Sequence, residues 1–498
     1  MGSGLQGRKG TLAWTSLGDP AILAAPLHSP SPRLAAPPRI PCLAAMADGV
    51  APFSNAGYDG EDRISALHED LLRAIISRLP VTDAARTAVL ASRWRHIWRS
   101  TPLVLRDADL PGLSRAASVT RILSDHPGPF RTVLLRHCSF AYQDPGLGEW
   151  ARLLAAKSAQ EVAFLNRPTL RNPVRLPADI LRCSSLRHLF LDFWMFPADL
   201  FRGADIILPH LHTLSMTRIH TSNQDLERFI ATCPVLETLL LCGNKPMGVC
   251  VRSHSLICLV VGLSMAEEFA VVDAPLLERL MLLQPPVAGD LPAKVKIACA
   301  SNLRVLGFLE PNFHKLQIGE TVIECNTMAG PNILVRSVKI LGVMVNFGVF
   351  WEIKMLASFL RCFPNVDTLH IQSALRDPSV TANEPSGKHH AEFWQEVCPV
   401  ECLRSHVKKM VIHEFQGTQN EFEFLKFIAM NAQELQSLLV VLQEENFSSD
   451  MVNEIKDKLQ CLRFRTGVTG LLLVLPKVGM FPWLQKAADL NIEDPFHC

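Results

Sequence analysis

Tyrosine is nearly missing from this chain, with two among 498 residues. That argues against a surface that stacks successive nucleic-acid bases on aromatic rings. An excess of either charge is missing too: 49 basic residues face 48 acidic ones, for a net charge of +1. A polyanion-binding surface as the main function is therefore not expected. No run of eighteen apolar residues occurs. The stretch 333–351 is interrupted by Arg336 and Lys339, and 467–484 by Pro476 and Lys477, so no membrane-spanning helix is expected. The 14 cysteines include no Cys-x-x-Cys pair and no even framework. Cys233, Cys242, Cys258, Cys299 and Cys362 sit in apolar contexts, which fits buried thiols in a reducing compartment. Neither a dinucleotide-type glycine loop, a Walker loop, Gly-x-Ser-x-Gly nor His-Glu-x-x-His is present. Nothing assembles a nucleophile with a base, and no enzyme activity is expected.

The length allows two to four domains. Residues 1–61 are rich in Pro, Ala and Ser and lack periodicity. Before Met46 the only acid is Asp19, against Arg8, Lys9, Arg33 and Arg39. An acid-poor start of this kind is also found in organelle transit peptides. The many prolines oppose an amphipathic helix, so a disordered tail, or translation beginning at Met46, is the preferred reading.

Residues 62–99 carry three short helical signals. Leu67, Leu71, Leu72, Ile75, Ile76 and Leu79 recur at helical spacing, and Pro80 stops the helix. Asp83 is placed to cap a second helix bearing Ala85, Ala88 and Val89. Leu90, Trp94, Ile97 and Trp98 form a third stripe, ended by Thr101-Pro102. Helices this short cannot bury so much apolar surface among themselves, so the excess meets the rest of the chain or a partner. The basic run around Arg93, Arg95 and Arg99 reads as a solvated face beside buried tryptophan.

From Asp62, Arg63, Ile64, Ser65 and Leu67, through Leu71, Leu72, Ile75, Ser77, Leu79 and Pro80, to Asp83, Ala84, Arg86, Thr87, Leu90, Ser92, Arg93, Trp94, Arg95 and Trp98, the segment resembles the F-box of plant F-box proteins. It departs from that pattern at His68, where the family usually has Pro, which suits a first helical turn.

From about Phe130 a strand pattern returns, apolar-x-x-apolar-x-apolar. Leu186/Leu189/Leu191, Leu211/Leu214/Met216, Leu236/Leu239/Leu241, Leu256/Leu259/Val261, Leu277/Leu280/Leu282, Leu303/Leu306/Phe308, Val338/Leu341/Val343 and Val366/Leu369/Ile371 carry it. Degenerate copies lie at 130–135 and 159–164. Spacings of 25, 25, 20, 21 and 26 residues fall in the range of leucine-rich repeats, each supplying a strand and a helical or irregular return. The usual asparagine is lacking, with Gly243-Asn244 a substitute in one unit. Leu226, Phe229, Ile230, Cys233 and Pro234 are matched at identical spacing by Leu356, Phe359, Leu360, Phe363 and Pro364. The competing architecture is an ordinary α/β domain with a parallel sheet.

After Asp377 a polar stretch reads as a linker. Beyond it, Val407/Met410/Ile412, a helix over 421–431 with Leu425 and Ile428 inward, and Leu435/Leu438/Val440 continue the strand–helix–strand theme. Cys402-Leu403, Ser405-His406, the Gly417-x-x-Asn420-Glu421 turn and Asn431-Ala432 resemble the FBD domain of plant F-box proteins. His389, His390, Cys398, Cys402, His406 and His413 form a thin metal-like cluster, but the FBD match spreads them over an entry segment and a strand, so no metal is expected.

The expected fold is an α/β leucine-rich-repeat solenoid with an N-terminal three-helix F-box and a C-terminal FBD-type capping block. The expected divisions are an extension over 1–61, the F-box over 62–105, repeats over 125–375, a linker over 376–392, the FBD over 393–475 and a C-terminal tail over 476–498. The resemblance implies a non-catalytic substrate receptor of an SCF-type cullin–RING ubiquitin ligase, in the nucleus or cytoplasm. Its F-box would dock on a Skp-type adaptor, and through it on cullin, by Leu67, Leu71, Leu72, Ile75, Leu79, Pro80, Val89, Leu90, Trp94 and Trp98, some of them core instead. The repeats would hold a protein target, with no cofactor, nucleic acid or membrane. A small-molecule co-receptor and a repeat binding module without ligase function are the alternatives.

Overall fold

The computed structural model describes residues 9–11, 14–17, 64, 66–138, 145–166, 174–197, 206–244, 248–262, 268–283, 293–325, 333–374, 388–397, 400–465, 467–476 and 480–496. Asp62, Arg63, Ser65 and Cys398 lie outside them, as does most of the polar stretch after Asp377.

The three short helical signals become three helices, α1 (Glu69–Ile76), α2 (Val81–Thr87) and α3 (Ser92–Ser100). His68 is the N-cap of α1 and its Nδ1 accepts from the Asp70 amide at 3.4 Å. The residue that departs from the family pattern thus caps the helix by another route, taking up one of the amides a helix start leaves unpaired. α1 ends at Ile76, ahead of Pro80, which is itself the N-cap of α2. Asp83 is therefore not the cap but a first-turn acid, paired with Arg86 at 2.9 Å. Proline explains the shift: its missing N–H costs nothing at a helix start. Thr101 turns extended, as a residue before proline prefers, and closes α3.

Strand-rich repeats follow. A fifteen-stranded sheet runs from Leu103–Arg106 to Thr469–Leu475, with Trp14–Leu17 added at the far edge. Every pairing in it is parallel. From Leu103 onward each strand lies beside the next sheet strand in the chain, so the order never reverses. A doubly wound domain would need such a reversal. Two short N-terminal strands, Lys9–Thr11 and Trp14–Leu17, stand in what was expected to be an extension without regular structure; both pair with strands near the chain's C-terminal end. An open strand edge is a ready template for such pairing.

One side of the sheet faces the main core. Leu189, Leu191, Leu214, Met216, Leu239, Leu241, Leu259 and Val261 are all buried there, as the period-two geometry of a strand requires. Helices Asn223–Ala231 and Phe350–Cys362 cover parts of it with Leu226, Phe229, Leu356 and Phe359. Between them the returns are strands, not helices. Gly248–Arg252, Glu268–Asp273, Ala293–Ile297 and His314–Ile318 form a second parallel sheet, closed by Thr321–Val322. Alternating Val249/Val251, Phe269/Val271 and Val295/Ile297 point into the shared core.

The expected inward position of Phe308 is corrected. The register shifts between Leu306 and Leu309, so Leu309 takes the core position and Phe308 packs on the opposite face. A one-residue slip of this kind moves a side chain across the sheet. Cys299 is also corrected: it is exposed, while Cys233, Cys242, Cys258 and Cys362 are buried as expected. Burial pushes the Cys258 thiol up to about 12. The expected linker over 376–392 gives way at its end to the helix Lys388–Glu396. The helix Gln419–Asn431 opens with a capping box between Thr418 and Glu421 and buries Leu425 and Ile428. Among the described residues no helix is long and apolar enough to cross a membrane.

Asn244 does what the missing repeat asparagines would do. It is buried, its Oδ1 accepts from the Ile219 amide at 2.6 Å, and its Nδ2 donates to the Met216 carbonyl at 3.0 Å. Gly243 before it holds φ +62°, which glycine reaches without strain. Asn244→Ala strands a buried donor and a buried acceptor, so a loss of about 1–3 kcal/mol is expected in urea unfolding.

Candidate functional site

Two surfaces carry the candidate site residues: the outside of the three-helix unit and the sheet face turned away from the main core.

The ten expected docking residues divide by burial. Leu72 and Trp94 are 0% and 4% exposed and belong to the core. They are corrected from docking to packing, because with Ile76, Ala84 and Ile97 they fill the small space between three short helices and the first strand. Trp98 is half-buried and lies edge-on to the His126 ring at 5.0 Å, so it joins the helices to the repeats. Leu67, Leu79 and Pro80 are half-buried, and the first two pack against the core. Four residues remain open: Leu71 at 54%, Ile75 at 40%, Leu90 at 66% and Val89 at 81%. Ile64, at 59% exposed, joins them. It is not among the expected docking residues, and it stands in the turn ahead of α1, where helical spacing carries no signal.

Those side chains come from two places in the chain. Arg93 Nη2 donates to the Leu67 carbonyl at 2.8 Å, which ties the start of α3 to the start of α1. Val89 and Leu90 occupy the turn just before α3. Singly exposed apolar residues need no explanation, but five within two adjoining segments do.

The helical unit is fastened to the repeats. Pro80 bridges Val104 of the first strand, and Arg131 Nη2 donates to the Ser77 carbonyl at 3.0 Å. Leu72, Ile76 and Trp94 share one core with Leu103 and Leu105. Behind Trp98, burial and the nearby Lys157 ammonium hold the His126 imidazole neutral, its pKa lowered to about 4.

On the face away from the core, the parallel registers align side chains in rows. One row runs Glu161, His188, Thr213, Thr238, Cys258 and Arg279. Its first three members are half-buried, and the exposed Phe190 lies in the next row beside Ala163 and Ser215. Arg218 holds Asp192 by a two-point ion pair at the end of the same strands, Nε to Oδ1 at 2.8 Å. This N-terminal third of the face is polar and open. Beyond Thr238 the face becomes buried and mostly apolar, with Arg279 and His370 among its buried polar members.

Of the metal-like cluster, Cys398 lies outside the described residues, and Cys402, His406 and His413 have other surroundings. Cys402 lies in a short helix, Glu401–Ser405, of which His406 is the C-cap, and its thiol donates to the Leu360 carbonyl. His413 instead pairs with His370. Among the described residues no group of three metal-ligating side chains is found.

Three family models match separate stretches. An F-box domain matches residues 64–106, the leucine-rich repeats of the FBD-associated F-box protein At5g56370 match 147–371, and FBD matches 395–440. The chain is 26% identical over 316 residues to the F-box/FBD/LRR-repeat protein At5g22660 of Arabidopsis thaliana, covering 58% of this chain and 69% of that one. It is 28% identical over 363 residues to F-box/LRR-repeat protein 13 of the same plant, covering 64% and 78%. A shorter match, 32% over 187 residues, is to the FBD-associated F-box protein At5g60610, covering 36% and 46%.

The division between core and open residues is measurable. Trp94→Ala is expected to lose about 3–5 kcal/mol of stability. Leu71→Asp and Val89→Asp are expected to stay within about 0.5 kcal/mol of the wild type in urea melts.

Proposed function

The chain belongs to the plant F-box proteins that carry leucine-rich repeats and an FBD domain, and we propose that it is the substrate receptor of an SCF-type cullin–RING ubiquitin ligase. The observation that carries this reading is the set of five exposed apolar side chains, Ile64, Leu71, Ile75, Val89 and Leu90, inside the F-box match. A Skp-type adaptor would cover it and connect the chain to cullin. Fully burying one such side chain yields roughly 1.5–3 kcal/mol. Together they reach the size of the association cost, which is roughly 4–15 kcal/mol. Each should therefore matter to binding.

The sequential parallel stack of strands supports a solenoid, extending from the F-box through the FBD block as its cap. The target protein would sit on the polar, open third of the sheet face, around Glu161, His188, Phe190 and Asp192. That region lies within a few strands of the F-box, and one continuous core fixes its position. The mechanism is effective concentration: a target held there meets a charged conjugating enzyme as a near neighbour. No catalytic residue of this chain is required, and nucleus or cytoplasm is the compartment the reading implies.

Co-purification with a plant Skp-type adaptor and cullin tests the proposal. The wild type is expected to bind, and a Leu71→Asp/Val89→Asp chain to lose adaptor by at least about tenfold in affinity while keeping its circular dichroism spectrum. A folded wild-type chain that binds none of several adaptors would sink the ligase reading and leave a repeat module that binds on its own account.

A further inference from the structure

The segment after the last strand lies beyond all three matched stretches. It does not trail away as a tail. Its helix, Met480–Ala488, and the residues to Phe496 return across the sheet face over strands more than a hundred residues earlier. Leu484, Ala487 and Phe496 bury themselves against Leu240, Val260, Met281, Phe308 and Ile340. Two glycines lie beneath this segment, and Gly342 is the one whose missing side chain makes room. A Cβ at Gly262 would stand 3.4 Å from Leu484, and one at Gly342 would stand 3.0 Å from the Phe496 ring.

The polar contacts are as specific as the apolar ones. Buried Arg279 donates to the Asp489 carbonyl at 2.9 Å and the Leu490 carbonyl at 3.2 Å, just past the end of the helix. A cation there meets the negative end of the helix dipole. The Asp494 carboxylate accepts from Lys409 Nζ at 3.0 Å and lies 3.1 Å from His370 Nε2. Two adjacent strands thus set two nitrogen side chains, His370 and Lys409, on one acid, and His370 Nδ1 in turn lies 2.9 Å from His413 Nε2. Burial pushes the Asp494 carboxyl up, but the His370 and Lys409 contacts outweigh it and hold it below the usual carboxylate range. Phe496 then packs on Phe308, with ring centres 4.7 Å apart, and on His370 at 5.2 Å.

A half-buried ion pair beside a buried histidine adds little to stability alone, because desolvation and solvent screening offset much of the attraction; the best-attested use of such a group is to fix one arrangement over others. Here it selects an acid at one point on a face that is mostly apolar apart from Arg279. The strands beneath are hydrogen-bonded to one another and not to this segment, so its departure breaks no sheet pairing.

We propose that the sheet face from Leu240 to His413 is a peptide-docking surface, and that residues 483–496 fill it in cis as a stand-in for a partner. The partner chemistry is read from the occupant: a short amphipathic helix, an acid six residues past its end, and an aromatic two residues further. In the receptor reading, on which this rests for its biological meaning, such a partner is a target that displaces the segment and thereby extends the open polar third of the face.

The test is a labelled peptide of residues 480–496 titrated into full-length wild type and into a full-length Asp494→Lys/Phe496→Ala chain. Saturable binding to the variant is expected. Binding to the wild type should be at least about tenfold weaker, since its own segment competes at an effective concentration near millimolar. A peptide carrying Asp494→Lys should bind the variant at least about tenfold more weakly than the unaltered peptide. A folded variant that does not bind, equal binding by both chains, or indifference to the peptide's acid would each overturn the proposal. Should the variant not fold, wild type cleaved between Pro476 and Met480 decides. Exchange of the cut segment for the labelled peptide supports docking, and a segment released only on unfolding overturns it. Adaptor co-purification of the same chains separates a failure here from a failure of the receptor reading.

Discussion

A five-residue strand with two leucines on one side has no stable existence alone. It is held by a similar neighbour on each edge, hydrogen-bonded in parallel, and by the core its leucines enter. Everything in this molecule depends on that repetition. The ladder from Leu189 through Leu214, Leu239, Leu259 and Leu280 keeps strict register, strand after strand. Because the register is strict, the opposite face also lines up in rows, and chemistry scattered over more than two hundred residues of sequence becomes contiguous.

The ends of such a stack need covering, and the two ends do it differently. At the start, α1 to α3 sit on the first strand, with Leu72, Ile76 and Trp94 in the same core as Leu103 and Leu105. The F-box is thereby fixed to the repeats by packing, by the Pro80–Val104 bridge and by Arg131 reaching Ser77. Under the proposed receptor role such an attachment matters, since effective concentration depends on how few orientations the connection allows. At the far end, the strands Ser437–Gln443 and Thr469–Leu475 flank the helix Ser449–Gln460, and Trp14–Leu17 pairs with the last of them.

Local irregularities are where side chains change role. The slip between Leu306 and Leu309 turns Phe308 out of the main core and onto the opposite face, where Phe496 meets it. Asn244 closes one repeat turn with side-chain hydrogen bonds, next to a Gly243 that supplies the required backbone. The replacement of helices by a second sheet between Gly248 and Val322 rests on alternating valines and phenylalanines too short for a helix face.

The amino-acid sequence by itself determined the periodic parts. Helical spacing around Leu72 and Ile76, the proline at 80, the strand pattern at Leu239 and Leu241, and the FBD helix with Leu425 and Ile428 inward were all legible, because each is a local pattern that repeats within a few residues. Tertiary structure alone decided which of the F-box apolar residues are core. Leu71 and Leu72 are neighbours with the same chemistry, and the packing of α1 against α2, α3 and the first strand buries one and leaves the other open. It likewise decided the fate of the C-terminal segment. Asp494 meets His370 and Lys409 across 124 and 85 residues. No local pattern announces such a contact, because the rows that bring those side chains together exist only once the strands have paired.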